Sequence, residues 1–241
     1  MKIFAHRGLS SHYHENTLEA FEKAIEEGVD GIEFDLHQVE NEFVIFHDFT
    51  LERLNGDATL LNQLSLDQVQ NIVLTGDHRI PLLQDIFALV KGKVPLNLEL
   101  KAIDDIDALL SLVVDYIYTH DGEVIFSSFN HPLLRSLSEG LRNTRIQNKV
   151  TTGALIGHSP IDNAAYAVNL GADIAAIDVH LVTPEFVQNA HQFNLEVWCY
   201  TVNSKDVLAR LLDMGVDAVF SNDPALMKEG LSEKSARKDQ I

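Results

Sequence analysis

His6-Arg7, Glu33-Phe34-Asp35, His47 and Glu99-Leu100-Lys101 hold the side chains of this sequence best suited to chemistry. They supply two imidazoles, three carboxylates, one guanidinium and one ammonium. Three carboxylates brought together repel one another unless a cation stands between them. An all-oxygen donor set favours Mg2+ or Ca2+ over zinc. Arg7 and Lys101 are then left to hold an anionic substrate, and a guanidinium suits the paired oxygens of a phosphate. Two histidines that titrate near neutrality can take up and deliver the protons of one displacement. Metal, two cationic side chains and two imidazoles together fit attack at phosphorus. A lone strand carboxylate is more often a salt-bridge partner than a ligand, so only the convergence of all seven points to a site.

Convergence requires a scaffold, and the chain reads as strand and helix in alternation. Strands are expected over residues 2–5, 31–36, 96–100, 124–129, 152–156, 174–179, 195–202 and 218–221. Eight such units in one chain of this length suit an α/β fold of the (β/α)8 TIM-barrel type, whose catalytic groups sit at the C-terminal ends of the strands. A doubly wound open sheet is the alternative, disfavoured because no G-x-G-x-x-G follows the first strand. Asn16 is read as the N-cap of the first helix, with Glu19 completing a capping box. Leu18, Phe21 and Ile25 form its apolar face, and Gly28 ends it. Thr183-Pro184 and Ser204 open later helices. Glu33 and Asp35 are two apart and share a face, as do Glu99 and Lys101.

Residues 43–46 are apolar and follow the second strand too closely for a helical crossover, so they return as a hairpin. With its turn near Glu40-Asn41-Glu42, pairing about Asn41 sets residue 47 opposite residue 35 and brings His47 to the level of Asp35. Residues 48–80 then form an insertion, with an Asn55-Gly56 turn and a short helix begun at Ser65. One barrel domain over 1–230 and a flexible tail over 231–241 complete the expected organisation.

The chain has 241 residues, 18 Lys+Arg against 36 Asp+Glu, and a formal net charge of −18. That balance argues against nucleic acid or an anionic membrane as partner, since both are met by basic surfaces. Cys199 is the single cysteine and cannot form an internal disulfide. No apolar run approaches the ~20 residues of a membrane span, and no signal-peptide pattern opens the chain. A cytoplasmic protein without stable membrane association is expected.

Several motifs run in order through the chain: His6-Arg7-Gly8, Glu15-Asn16-Thr17, Glu33-Phe34-Asp35, Phe46-His47-Asp48, Leu96-Asn97-Leu98-Glu99-Leu100-Lys101, Ser128-Phe129, Val197 to Asn203, and Ser221-Asn222-Asp223-Pro224. In these the sequence resembles the glycerophosphodiester phosphodiesterases, a branch of the phosphatidylinositol-phospholipase-C-like barrels. The resemblance implies that Glu33, Asp35 and Glu99 bind one divalent cation, Mg2+ or Ca2+. It implies His6 and His47 as the acid–base pair, and Arg7 and Lys101 as phosphate contacts. Phe129 and Trp198 match positions lining the glycerol side of the pocket, with barrel core as the alternative for both. Glu15 matches a residue that orders the site, or serves as a helix N-terminal carboxylate. The sequence departs from the pattern in its Glu40-Asn41-Glu42 turn and at Cys199-Tyr200, where an aromatic pair is common. His180 lies just past a strand end.

The implied reaction is cleavage of a small glycerophosphodiester to an alcohol and sn-glycerol 3-phosphate. A cyclising phosphodiesterase of the phospholipase type is the near alternative, with the substrate's own 2-hydroxyl as nucleophile. A metal-dependent amidohydrolase built on His12-Tyr13-His14, His158, His180 and Asp223 is a more distant one, because its H-x-H belongs on the first strand. A catalytically silent barrel that only binds phosphate compounds is a third.

Overall fold

The computed structural model describes residues 1–238. Its strands in chain order are β1 (Lys2–His6), β2 (Gly31–Val39), β3 (Glu42–Ile45), β4 (Thr50–Leu51), β5 (Asp57–Leu60), β6 (Leu96–Ala102), β7 (Val124–Ser128), β8 (Val150–Ile156), β9 (Ile174–Asp178), β10 (Glu196–Tyr200) and β11 (Ala218–Ser221). Eight of them, β1, β2 and β6 to β11, close into a parallel barrel, with β11 pairing back onto β1. Strands buried on both faces carry near-continuous apolar runs. Their outward side chains, such as Ile3, Ile32, Phe34 and Leu98, are fully buried in one large cluster with the surrounding helices. The inward side chains at the N-terminal end form a second apolar cluster of Phe4, Ile125, Leu155, Ile174, Ala176, Trp198, Ala218 and Phe220. This plug seals the barrel from below, so the polar residues above it face only the C-terminal mouth. Gly31 makes room for the plug: a Cβ there would lie 2.2 Å from the Phe4 ring.

β2 is long because its edge serves two partners. Residues 31–33 pair with β1, ending at His6↔Glu33, and residues 36–39 pair with antiparallel β3. The hairpin register differs from expectation by one residue. Val39 faces Glu42 across a two-residue turn, Glu40-Asn41, with Glu40 at φ 53°. The turn centre therefore falls between Glu40 and Asn41, and Phe46, not His47, lies opposite Asp35, donating its N–H to Asp35 O at 3.1 Å. His47 follows outside the ladder.

The first helix, Leu18–Glu26, also starts differently. Thr17 is the N-cap: its φ of −116° and ψ of 156° suit a cap, and its hydroxyl accepts from the Ala20 N–H at 3.2 Å. Asn16 stands at φ 58° and its amide is used elsewhere, by Asp35. Leu18 is exposed, and Ala20, Phe21 and Ala24 form the buried face.

The segment 48–80 holds the β4–β5 ribbon and the short helix Leu66–Gln70, opened by a Ser65–Gln68 capping box. Its Leu51, Leu61, Val69, Leu74 and Ile80 cluster with Val39, Val44 and Phe46 of the hairpin. The final helix runs Pro224–Lys238 and passes through the position where a tail was expected at 231; residues 239–241 lie outside the described ones. Among the described residues no helix is long and apolar enough to cross a membrane.

Candidate active site

Strand period and register bring the chemistry together. Successive inward positions on β2 are Glu33 and Asp35, and on β6 they are Asn97, Glu99 and Lys101. The pairings His6↔Glu33 and Asp35↔Glu99 set neighbours side by side. At the end of β1 the chain leaves the barrel through Arg7 at φ 57° and Gly8 at φ 81°. Only glycine fits at position 8, because a Cβ there would lie 2.8 Å from the Ala20 backbone. The turn lets the Arg7 N–H donate to Glu33 O at 2.8 Å and returns its guanidinium over the mouth.

The ion pairs form a continuous chain. Arg7 Nε lies 3.2 Å from Asp35 Oδ2, and Arg7 Nη1 lies 3.1 Å from Glu15 Oε1. Lys101 Nζ reaches Asp35 Oδ1 at 3.0 Å and also pairs closely with Glu99. Asn16 Nδ2 donates to Asp35 Oδ2 at 2.9 Å. Burial works to raise the Asp35 pKa, but Lys101 and Arg7 outweigh it and hold the carboxyl well below its ordinary range. For Arg7 and Lys101, burial opposes the charge and is outweighed by the carboxylates around them, Asp35 first, so both pKa values stand above normal. Arg7 and Lys101 are therefore committed to carboxylates whenever no other cation neutralises these.

Glu33 and Glu99 behave oppositely. Burial, then the neighbouring Asp35, raises both, Glu33 well above the usual value and Glu99 to about 7. Glu33 Oε1 is buried with no hydrogen-bond partner. One ligand oxygen from each of Glu33, Asp35 and Glu99 lies within 4.8 Å of the others, the one such grouping among the described residues. An orphaned buried carboxylate oxygen, carboxyls that resist ionising side by side, and an all-oxygen donor set fit a hard divalent cation.

A pH dependence follows. Glu99 holds its proton in the folded, cation-free protein up to about 7, against 4.5 ordinarily. The folded state therefore binds more protons than the unfolded state in that window. The associated stability is complete below 4.5 and is lost as pH rises through about 7. His6 and His37, both lowered to about 4, act in the opposite sense, so the contribution is read as a difference. In chelator, the stability of wild type relative to Glu99→Gln falls as pH rises from 4.5 to about 7. Thermal melts across that range, with and without Mg2+, check it; a difference that stays flat in chelator contradicts the shift.

Both histidines are oriented by a partner. His6 Nδ1 donates to Asn222 Oδ1 at 2.7 Å, and its Nε2 lies 3.8 Å from Glu33 Oε2. Burial, then Arg7, lowers its pKa to about 4, so the imidazole is neutral at pH 7. His47 Nδ1 lies 2.7 Å from Asp48 Oδ1. Burial works to raise Asp48, but bonds from His47 and Arg53 hold it below normal, so its carboxylate accepts and Nδ1 carries the proton. In each ring Nδ1 is the nitrogen engaged by this partner.

The remaining expected residues fall into two layers. Phe129 is half exposed just beyond β7, with Lys101 Nζ 5.9 Å from its ring centre and Tyr200 edge-on at 5.6 Å. Trp198 is in the plug, 4.6 Å from Phe4, with its indole N–H donating to Glu196 Oε2 at 2.8 Å, toward the closed end of the barrel. Tyr200, one inward position higher, faces the mouth in its place. His180 is exposed beyond β9. His12 pairs at 3.6 Å with Asp223, and His14 Nδ1 contacts Glu15 O at 3.0 Å; both stand on the loop after β1 and belong to no three-ligand group among the described residues.

A family model for the glycerophosphoryl diester phosphodiesterases matches residues 6–226, and so nearly the whole barrel. The chain belongs to that family. Among curated proteins, a glycerophosphodiester phosphodiesterase of Bacillus altitudinis is 30% identical, over 92% of this chain and 95% of its own. One from Caldanaerobacter subterraneus subsp. tengcongensis is 27% identical, over 92% of this chain and 94% of its own. Among solved structures, an Oleispira antarctica phosphodiesterase in complex with the product sn-glycerol-3-phosphate superposes with a TM-score of 0.84. It is 23% identical and covers 96% of this chain and 97% of its own, a likeness that carries the fold. The protein is thus an enzyme of the glycerophosphodiester phosphodiesterase class.

Sequence reasoning gave no part in the site to Asn16, read only as a helix cap, or to Asp48, Arg53, Tyr200 or Asn222. Four of these lie inside motifs already noted and could have been found by asking what orients each histidine and Asp35. Arg53 lies in the insertion, where no motif drew attention to it.

Proposed function

We propose that this enzyme hydrolyses small glycerophosphodiesters to an alcohol and sn-glycerol 3-phosphate, with one divalent cation and a pair of histidines. The observation that carries the reading is the trio Glu33, Asp35 and Glu99, with ligand oxygens within 4.8 Å of one another and Glu33 beside His6. Glu33, Asp35 and Glu99 would hold the cation, which would supply Lewis acidity toward the phosphoryl group and neutralise Asp35 and Glu99. Arg7 and Lys101 then bind the non-bridging phosphate oxygens. The three carboxylates, a divalent cation, Arg7 and Lys101 leave one net positive charge, matched to a singly charged phosphodiester. Of His6 and His47, one removes the proton of the attacking hydroxyl and the other delivers a proton to the departing alkoxide. The new P–O bond comes from that hydroxyl, and the bond to the alcohol breaks. Phe129 and Tyr200 form the apolar wall against the glycerol carbons, and Glu15 orders Arg7. Phosphorus NMR of glycerophosphocholine, glycerophosphoethanolamine and glycerophosphoglycerol incubated with enzyme and Mg2+ or Ca2+ tests the reading. A monoester signal of sn-glycerol 3-phosphate is expected. An accumulating cyclic phosphate, or no turnover of any of the three, contradicts it.

A further inference from the structure

Arg53 stands at the start of the short helix Glu52–Asn55 in the insertion, with its side chain more than half exposed. An exposed arginine ordinarily contributes little, yet this one spends its fixed fork of donors on two residues of the mouth. Its Nε lies 2.6 Å from Asp48 Oδ2, and its Nη2 lies 2.5 Å from Glu15 Oε1. The other Asp48 oxygen holds His47 Nδ1 at 2.7 Å, and Glu15 in turn is held by Arg7 Nη1 at 3.1 Å. His47 is outside the hairpin ladder, so no strand pairing fixes it. The chain bends at His47, which sets the Asp48 carboxylate beside its ring, and Arg53 holds that carboxylate from the other side.

We propose that Arg53 is a positioning residue for His47: it pins Asp48, which fixes the His47 tautomer and points Nε2 at the substrate. The insertion thereby completes the acid–base pair. This rests on the acid–base role assigned to His47 above. Arg53 touches no reacting atom, and its effect passes through Asp48. A lysine can reach one of the two carboxylates but cannot present both donors in the same plane.

The test uses the full chain with Mg2+ and glycerophosphocholine. Arg53→Ala is expected to lower kcat about 10–100-fold, the usual cost of losing a residue that orients a histidine. KM is expected to stay within about twofold, because uniform substrate binding is untouched. Nitrogen NMR of the His47 imidazole is expected to move from a single Nδ1–H tautomer toward a mixture. Added ethylguanidinium is expected to restore turnover to Arg53→Ala and not to His47→Ala. Glu15→Gln, which keeps the Arg53–Asp48 pair, is expected to leave the His47 nitrogens where they are. Wild-type kcat in Arg53→Ala, or lost kcat with unmoved His47 nitrogens, overturns the proposal. The same tautomer shift in Glu15→Gln routes the effect elsewhere and overturns it too. If His47→Ala turns over normally, the acid–base reading falls and this proposal with it. If His47→Ala is inactive while Arg53→Ala is unimpaired, only this proposal falls.

Discussion

Replacing His6 or His47 by alanine lowers kcat on a glycerophosphodiester by at least about 10²-fold, the smaller end of what one positioned acid or base contributes. The two imidazoles enter the mouth from different segments, β1 and the loop after β3, and each is oriented through Nδ1, by Asn222 and by Asp48. Neither lies in the apolar plug, so the barrel stays folded in both variants. The double variant loses less than the product of the single losses, because proton removal and proton delivery serve one displacement. Steady-state kinetics at saturating cation, beside thermal melts of each variant, measures this. Near-normal turnover in either alanine variant removes that residue from the mechanism.

Asp35→Asn has the second large effect, and it acts on stability as well as rate. Asp35 is fully buried and stands between Arg7 Nε at 3.2 Å and Lys101 Nζ at 3.0 Å. Removing its charge leaves two partly buried cations underpaired, which costs up to about 3 kcal/mol of folding stability, the lower end for a broken buried pair. Under the proposed function it also removes one ligand of the cation, whose transition-state contribution of several kcal/mol corresponds to about 10³-fold or more in kcat/KM. Glu33→Gln separates the two effects. Glu33 resists ionising in the cation-free protein, so the amide is well tolerated by the fold while turnover collapses. Denaturant unfolding in chelator and kinetics in Mg2+, run on both variants, distinguish them. Equal stability losses in the two contradict the opposed shifts of Asp35 and Glu33.

What was legible in the sequence follows from period and spacing. Residues two apart on a strand share a face, so Glu33 with Asp35 and Glu99 with Lys101 could be assigned before any coordinates. The eight strands were legible because each is an apolar run between helix start and stop signals. Trp198 and Tyr200 show the limit of the same rule. Both face inward on β10, and only the depth of the strand in the barrel decides that one plugs and the other faces the mouth. The hairpin slipped by one residue because Glu40-Asn41 lacks the glycine that marks a turn centre. Asn16 is a good cap by residue type, and that same amide is what Asp35 recruits; Thr17 beside it can cap equally well. Arg53 reaches Glu15 across 38 positions, and a long-range ion pair leaves no periodic trace in the chain.

Under the proposed function the cation is required for binding as well as for bond cleavage. Without it, Arg7 and Lys101 remain paired with Asp35, Glu15 and Glu99, whose negative charge offsets theirs toward an anionic phosphate. Calorimetric titration of glycerophosphocholine into His47→Ala, which binds without turning over, isolates that claim. Saturable binding in Mg2+ or Ca2+ that disappears in chelator is the predicted result; the same affinity with and without chelator contradicts it.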